Sequence, residues 1–243
     1  MIKLEHCEVM GWEHVIRGMR NPKNSWSLSD SGLGCDDEGC LCRDCEHSEN
    51  RFPGDCAAYF AIGPKDHKLM MNLRNAGTDH RKFMRMITVY VDITAPLYWW
   101  KEFDTYKVGT VTNSCSTMHK IHERDLTLED FSHEKLVNEF DPELKNTPER
   151  FLGLNLSLLK DIIDVLNWDR KKFLETNDKK YWDSMIQLLP TSYNQKRTVM
   201  LNYEVLANMY KSRKNHKLDE WRELCKWIES LPYSELITGK DAE

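Results

Sequence analysis

Apolar residues recur along this chain with two different periods, and the change from one to the other lays out its elements. From Met86 to Thr94 the run MITVYVDIT alternates, with Ile87, Val89, Val91 and Ile93 on one side; β-branched and aromatic alternation of this kind predicts a half-buried strand. Ile2–Met10 predicts a second short strand. Helical spacing appears at Trp12–Met19, where Trp12, Val15, Ile16 and Met19 share a face, and at Asp66–Ala76, where Leu69, Met70 and Leu73 fall in register before a Gly77 cap. Ala95-Pro96 opens a further helix with proline in its first turn.

Beyond residue 120 the helical period dominates. Leu152, Leu156, Leu159, Ile163 and Leu166 form one stripe of a helix over Phe151–Trp168, and helices over Lys171–Leu189, Lys196–Lys211 and Leu218–Leu231 follow. Residues 22–56 have no helical period and are rich in Gly, Ser, Asp and Cys. A loop this long is usually functional or pinned by something. The expected fold is therefore α+β: a small antiparallel sheet with a large helical majority, one domain over residues 1–243, with 22–56 as a Cys-rich inserted loop.

Composition narrows the function classes. The chain has 243 residues, enough to bury a sizeable core, with 40% hydrophobic and 30% charged residues, as in an ordinary globule. Its net charge of −5 argues against a nucleic-acid binder driven by bulk charge, so any phosphate contact must come from a local cluster. No apolar leader and no run of 18 apolar residues stands out, so the cytoplasm is the expected compartment, with no membrane partner.

Five groups of residues carry candidate chemistry. Cys35, Cys40, Cys42, Cys45 and Cys56 crowd a stretch with no apolar core of its own; a structural metal, zinc above all, on Cys40, Cys42, Cys45 and Cys56 would order it, the alternative being free or redox-active thiols. Asn75–Lys82 ends in a His80-Arg81-Lys82 cluster, an anion site or a capping turn with solvated charges. Trp99, Trp100, Phe103 and Tyr106 form an aromatic helix face, either core or a surface for stacking on a flavin or base. The run VGTVTNSCST after it has more hydroxyl and amide groups than a turn needs, and suits an anionic or nucleotide-like ligand; Cys115 in it is a candidate reactive thiol if it lies near Lys107. In the last third, Asn202, Glu204, Arg213 and His216 can face one cleft, with Arg213 able to hold a phosphate or pyrimidine edge bidentately.

Taken in order, several pieces resemble the flavin-dependent thymidylate synthase family. VDITAPLYWWKEFDTYK resembles that family's strand, Ala-Pro and helix leading to its Arg-His-Arg signature, and VGTVTNSCST resembles the loop completing the signature. LLPTSYNQKRTVMLNYEVLANMYKSR followed by DEWRELCKWIESLP resembles its C-terminal Asn-containing and Leu-x-Leu-Arg segments, and GTDHRKFMRMITVYVDI its Glu-His stretch. Order and spacing agree over roughly residues 65–232. The signature's Arg-His-Arg falls on Thr105, Tyr106 and Lys107, a nucleotide-contacting Gln on Glu102, and the Ser near the uracil on Cys115 or Ser116. Asn202 and Arg213 match the family's Asn and Arg, while an Arg near Asn202 becomes Glu204.

The resemblance implies a homotetramer with active sites at subunit junctions and bound FAD. It implies one-carbon transfer from methylenetetrahydrofolate to dUMP, with NADPH as reductant. Carried onto this chain, Ser116 and Cys115 are the catalytic candidates. His80, Tyr106, Lys107 and Asn202 face the cofactor, and Glu102, Asn113, Ser114 and Arg213 the pyrimidine nucleotide. The alternative is a non-catalytic nucleotide-binding or assembly protein on the same tetrameric scaffold, which the missing Arg-His-Arg favours.

Overall fold

The computed structural model describes residues 2–34, 59–137 and 155–239. Its main sheet has four strands in the order β1-β4-β6-β5, formed by β1 (Lys3–Met10), β4 (Thr88–Pro96), β6 (Asn194–Asn202) and β5 (Val111–Ser114). Every neighbouring pair is antiparallel. A two-stranded ribbon, β2 (Gly32–Gly34) on β3 (Tyr59–Ala61), stands apart. The helices are α1 (Trp12–Arg20), α2 (Pro64–Asn75), α3 (Leu97–Phe103), α4 (Thr117–Lys120), α5 (Asn155–Thr176), α6 (Lys179–Leu188), α7 (Tyr203–Arg213), α8 (Asp219–Glu229) and α9 (Glu235–Thr238). The α+β class and the antiparallel sheet agree with the sequence reading. No helix among the described residues is long and apolar enough to cross a membrane.

Alternation on β4 works as expected. Val89, Val91 and Ile93 are fully buried and face Leu201, Val199 and Arg197 across the ladder. The helices cover that face with a core containing Trp99, Trp100, Phe103, Tyr203, Met209 and Trp221. The opposite face carries Tyr90, Asp92, Thr198 and Asn113. A second cluster joins α5 and α6 through Leu159, Ile163, Leu166 and Met185, with Phe131 against them.

Three expectations about elements fail. Lys196–Lys211 is not one helix, because its first part is the inner strand β6. There Val199 and Leu201 alternate inward between two partners, and the ladder outweighs weak helical spacing. The Asn202 side chain then accepts from the Val205 N–H at 3.0 Å and starts α7. The polar run after the aromatic helix is not a loop throughout, since Val111–Ser114 pairs along β6 as an edge strand. The break expected between Trp168 and Lys171 falls instead at Asn177, which takes a positive φ of 53°, and at Asp178, which caps α6. Asp169 stays inside α5, where it accepts from the Ser184 hydroxyl at 2.6 Å.

Two anchors place the rest. Gly11 turns the chain from β1 into α1 at φ 101°, and a Cβ there would lie 2.5 Å from the Met86 carbonyl oxygen. Asp66, wholly buried on α2, accepts from Arg20 Nε, Ser29 Oγ and Ser31 Oγ, each at 2.6 Å. Burial pushes its carboxyl up, but the bonds from Ser29, Ser31 and Arg20 outweigh this and hold it below the usual range. That network ties the segment before β2 to α2. The β2–β3 pairing sets Gly34 opposite Tyr59. Cys40, Cys42, Cys45 and Cys56 themselves lie outside the described residues.

Candidate functional site

The aromatic stripe of α3 is core. Trp99, Trp100 and Phe103 are each at most 1% exposed, and Trp99 packs on Phe103 and Trp221 at ring separations of 5.1 and 4.8 Å. This packing fixes the outer side of the helix, which presents Glu102. One oxygen of Glu102 accepts from Arg213 Nη1 at 2.8 Å and from Trp221 Nε1 at 3.1 Å, with His216 Nε2 at 3.5 Å. Arg213 Nε donates to the Tyr106 hydroxyl at 3.0 Å, and the guanidinium lies 4.6 Å above the Trp221 ring. Glu102 and Tyr106, four residues apart at the end of α3, thus meet the distant Arg213 at one half-open spot. Glu102 Oε1 and Arg213 Nη2 have no hydrogen-bond partner among the described residues, so an acceptor and a donor of the pair stay unused.

The strand side is built differently. Every residue of β5 is exposed, and neither the Asn113 nor the Ser114 side chain has a bonded partner among the described residues. Cys115 is exposed and held by its backbone, its N–H on the Lys196 carbonyl at 2.9 Å and its carbonyl on Gln195 Nε2 at 3.1 Å. Ser116 caps α4 by accepting from the His119 N–H at 3.2 Å. Cys115 and Ser116 line a cavity of about 590 Å³ that also meets Lys120, Arg124, Tyr193 and Lys196. Each of its cations has a carboxylate: Lys120 pairs with Glu123, Arg124 with Asp130, and Lys196 with Asp92 at 3.2 Å. Burial raises the Tyr193 phenol.

Lys107 belongs to a separate cavity of about 330 Å³ with Asp104, Tyr106 and Thr112. Cys115 and Lys107 line different cavities, with the strand β5 between them in the chain. Lys107 has no ion-pair partner among the described residues. Arg197, nearby, is taken by Asp104 at 2.7 Å and stacks 4.1 Å from Trp100.

The remaining expected residues separate. Asn202 is a helix cap whose Nδ2 reaches the Gly109 carbonyl at 3.5 Å; Gly109 has φ +78°, and a Cβ there would meet that same Nδ2 at 2.9 Å. Glu204 does not face the cleft of Arg213 and His216. It turns to the 3₁₀ turn Arg81–Met86, where Arg85 binds it and Arg81 Nε lies 3.6 Å away. His80 is exposed at the start of that turn. Trp221 and Gln195 were not singled out from sequence, since an indole in an amphipathic helix and an amide in a strand give no signal of what they hold. Among the described residues no group of His, Cys, Asp or Glu is placed to hold a metal. For an anionic dinucleotide the fitting donors are Lys107 and Arg81, whose buried Nε has no acceptor.

Neither a family model nor a curated protein sequence matches the chain. Solved structures do match in fold. A thymidylate synthase X from Helicobacter pylori, solved with FAD and dUMP, superposes with a TM-score of 0.60 at 16% identity, over 98% of each chain. A second structure of the Helicobacter pylori flavin-dependent enzyme with FAD and dUMP gives 0.57 at 17% identity, again over 98% of each chain. The UMP/dUMP methylase PolB from Streptomyces cacaoi, bound with 5-Br dUMP, gives 0.54 at 11% identity over 98% of this chain and 94% of its own. These likenesses establish that the chain has the fold of flavin-dependent thymidylate synthases.

Proposed function

We propose that this chain is a divergent flavin-dependent enzyme of the thymidylate synthase type that transfers a one-carbon group to a pyrimidine nucleotide such as dUMP. The observation that carries it is the Glu102–Arg213 pair, locked by Trp221 and Tyr106 with one acceptor and one donor left open. A uracil edge, with an N3–H beside a carbonyl, complements that pair. The likeness in fold to proteins solved with FAD and dUMP supports the same ligands here.

In this reading Glu102 and Arg213 orient the base. Asn113 and Ser114 on the open edge, with Cys115 and Ser116 at the mouth of the larger cavity, complete the nucleotide side. His80, Tyr106, Lys107 and Asn202 serve the flavin. Flavin, when bound, supplies the redox chemistry, with NADPH and methylenetetrahydrofolate as co-substrates, and the chain positions and shields the reactants. The exposed β5 edge suits a site completed by other subunits of a homotetramer. The chain acts in the cytoplasm as one domain, and Cys40, Cys42, Cys45 and Cys56 hold a structural zinc.

The test is the absorption spectrum of the purified protein with and without dUMP. A flavin spectrum, FAD released on denaturation and a change on adding dUMP are expected. Colourless protein that binds neither added FAD nor dUMP ends the proposal. One observation favours a second reading, a non-catalytic nucleotide binder. Lys196, Arg197 and Arg213 each pair with a carboxylate of the same chain, and Thr105-Tyr106-Lys107 stands where the family has Arg-His-Arg. Binding of dUMP without flavin or turnover would select it.

A further inference from the structure

Ser116 anchors itself only through its cap, its hydroxyl accepting from the His119 N–H at 3.2 Å. Its two neighbours are held from outside. Gln195 Nε2 donates to the Cys115 carbonyl and to the Thr117 hydroxyl, each at 3.1 Å, so one amide brackets Ser116 from both sides. Both protons of that amide are then in use.

The other end of Gln195 is fixed as well. Its Oε1 accepts from Arg197 Nε at 3.0 Å, two residues along β6 and on the same side of the strand. An arginine only donates and a carbonyl only accepts, so the two ends of the amide cannot change places. Arg197 Nη1 donates in turn to Asp104 Oδ1 at 2.7 Å, and the guanidinium lies 4.1 Å from the Trp100 ring. Trp100 Nε1 donates to the Gln195 backbone carbonyl at 2.9 Å, and Trp100 itself is buried. The relay therefore ends in the core. Trp100 and Glu102 both belong to α3, and Asp104 is its C-cap. One helix thus sets the attitude of the Cys115–Thr117 segment and carries half of the Glu102–Arg213 pair. Three directed bonds on one half-buried amide, backed by an Arg197 side chain only 13% exposed, restrict the segment to one geometry.

We propose that Gln195 is a positioning residue of the candidate site: through the Cys115 carbonyl and the Thr117 hydroxyl it fixes where Ser116 stands, with Arg197 aiming its amide. The proposal deepens the functional reading, on which it rests only for what Ser116 and Cys115 then face, a pyrimidine nucleotide.

The full chain is followed by amide hydrogen exchange, and dUMP is titrated separately by calorimetry. The N–H groups of His119, Lys120 and Ile121 are bonded back to Ser116 and Thr117, so their exchange reports whether that segment is held. Gln195→Glu keeps the side chain's size and an acceptor for Arg197 but has no donor left. Exchange at residues 119–121 should quicken roughly 10-fold, with Val89, Val91 and Ile93 unchanged, and dUMP should bind roughly 10-fold more weakly. Thr117→Val removes one acceptor without adding charge or touching β6, and should move both measurements severalfold in the same direction. Arg197→Lys keeps the charge beside Asp104 but loses the fork, and should quicken the same amides; a merely structural Arg197–Asp104 pair predicts wild-type exchange there. Wild-type exchange at residues 119–121 in both Gln195→Glu and Thr117→Val overturns the proposal. So does quickening that spreads evenly to the inner strand, or undiminished dUMP binding by both variants. If exchange follows the expected order while wild type binds no dUMP, the positioning role stands and the nucleotide reading falls.

Discussion

Glu102–Arg213 and the strand Val111–Ser114 were expected to form one site, yet they are built on opposite terms. The first is a side-chain assembly: α3 and α7 converge, Trp221 donates from α8, and buried indoles behind the pair leave it one geometry. The second is a backbone assembly, in which β6 holds the edge strand by its ladder while the side chains stay exposed. A half prepared within one chain can recognise a ligand by itself. A bare polar edge has nothing to orient it until a ligand or another subunit arrives.

The sharpest break in this contrast is to remove the support. Trp221 is fully buried and touches both members of the pair, so Trp221→Ala should cost about 3–5 kcal/mol in denaturant unfolding. An unchanged midpoint would mean that the prepared half owes nothing to its aromatic backing.

A closed pair makes the reference. Arg20–Asp66 is wholly enclosed, and Asp66→Asn, which strands Arg20, should cost a similar ~3–5 kcal/mol. Because the Asp66 carboxyl is held below its unfolded value of about 3.9, its contribution is present above that pH and is lost as pH falls through the lower folded value. Wild-type stability should therefore drop below about pH 4, and the drop should be shallower in Asp66→Asn. The open pair should be softer, with Arg213→Met losing about 1–3 kcal/mol while abolishing uridine-nucleotide binding in a titration. Full retention of binding would remove Arg213 from the site.

The smallest effect belongs to the edge. Ser114→Ala should leave the unfolding midpoint within about 0.5 kcal/mol of wild type. A loss above about 2 kcal/mol would show that the edge is as built as the other half.

Much of this was legible beforehand for identifiable reasons. The Ile87–Ile93 alternation and the helical stripe of Trp99, Trp100 and Phe103 are local periodicities whose burial follows from one sheet face and one helix face. The likeness in fold agrees with the resemblance read from ordered motifs between residues 65 and 232. Legibility failed where a segment's state depends on a distant partner. Asn194–Asn202 has enough helical spacing to pass for a helix, and only β4 and β5 on either side make it a strand.

The chain's own order of residues determined the class of fold, the core stripes and the candidate residues Glu102, Tyr106 and Arg213. Tertiary structure alone decided which charges meet: that Arg213 is neutralised by Glu102, and that Glu204 turns away to Arg81 and Arg85. The reason is physical. Periodicity reports which side of an element is buried, whereas an ion pair forms between elements brought together by packing, and no local spacing encodes that distance.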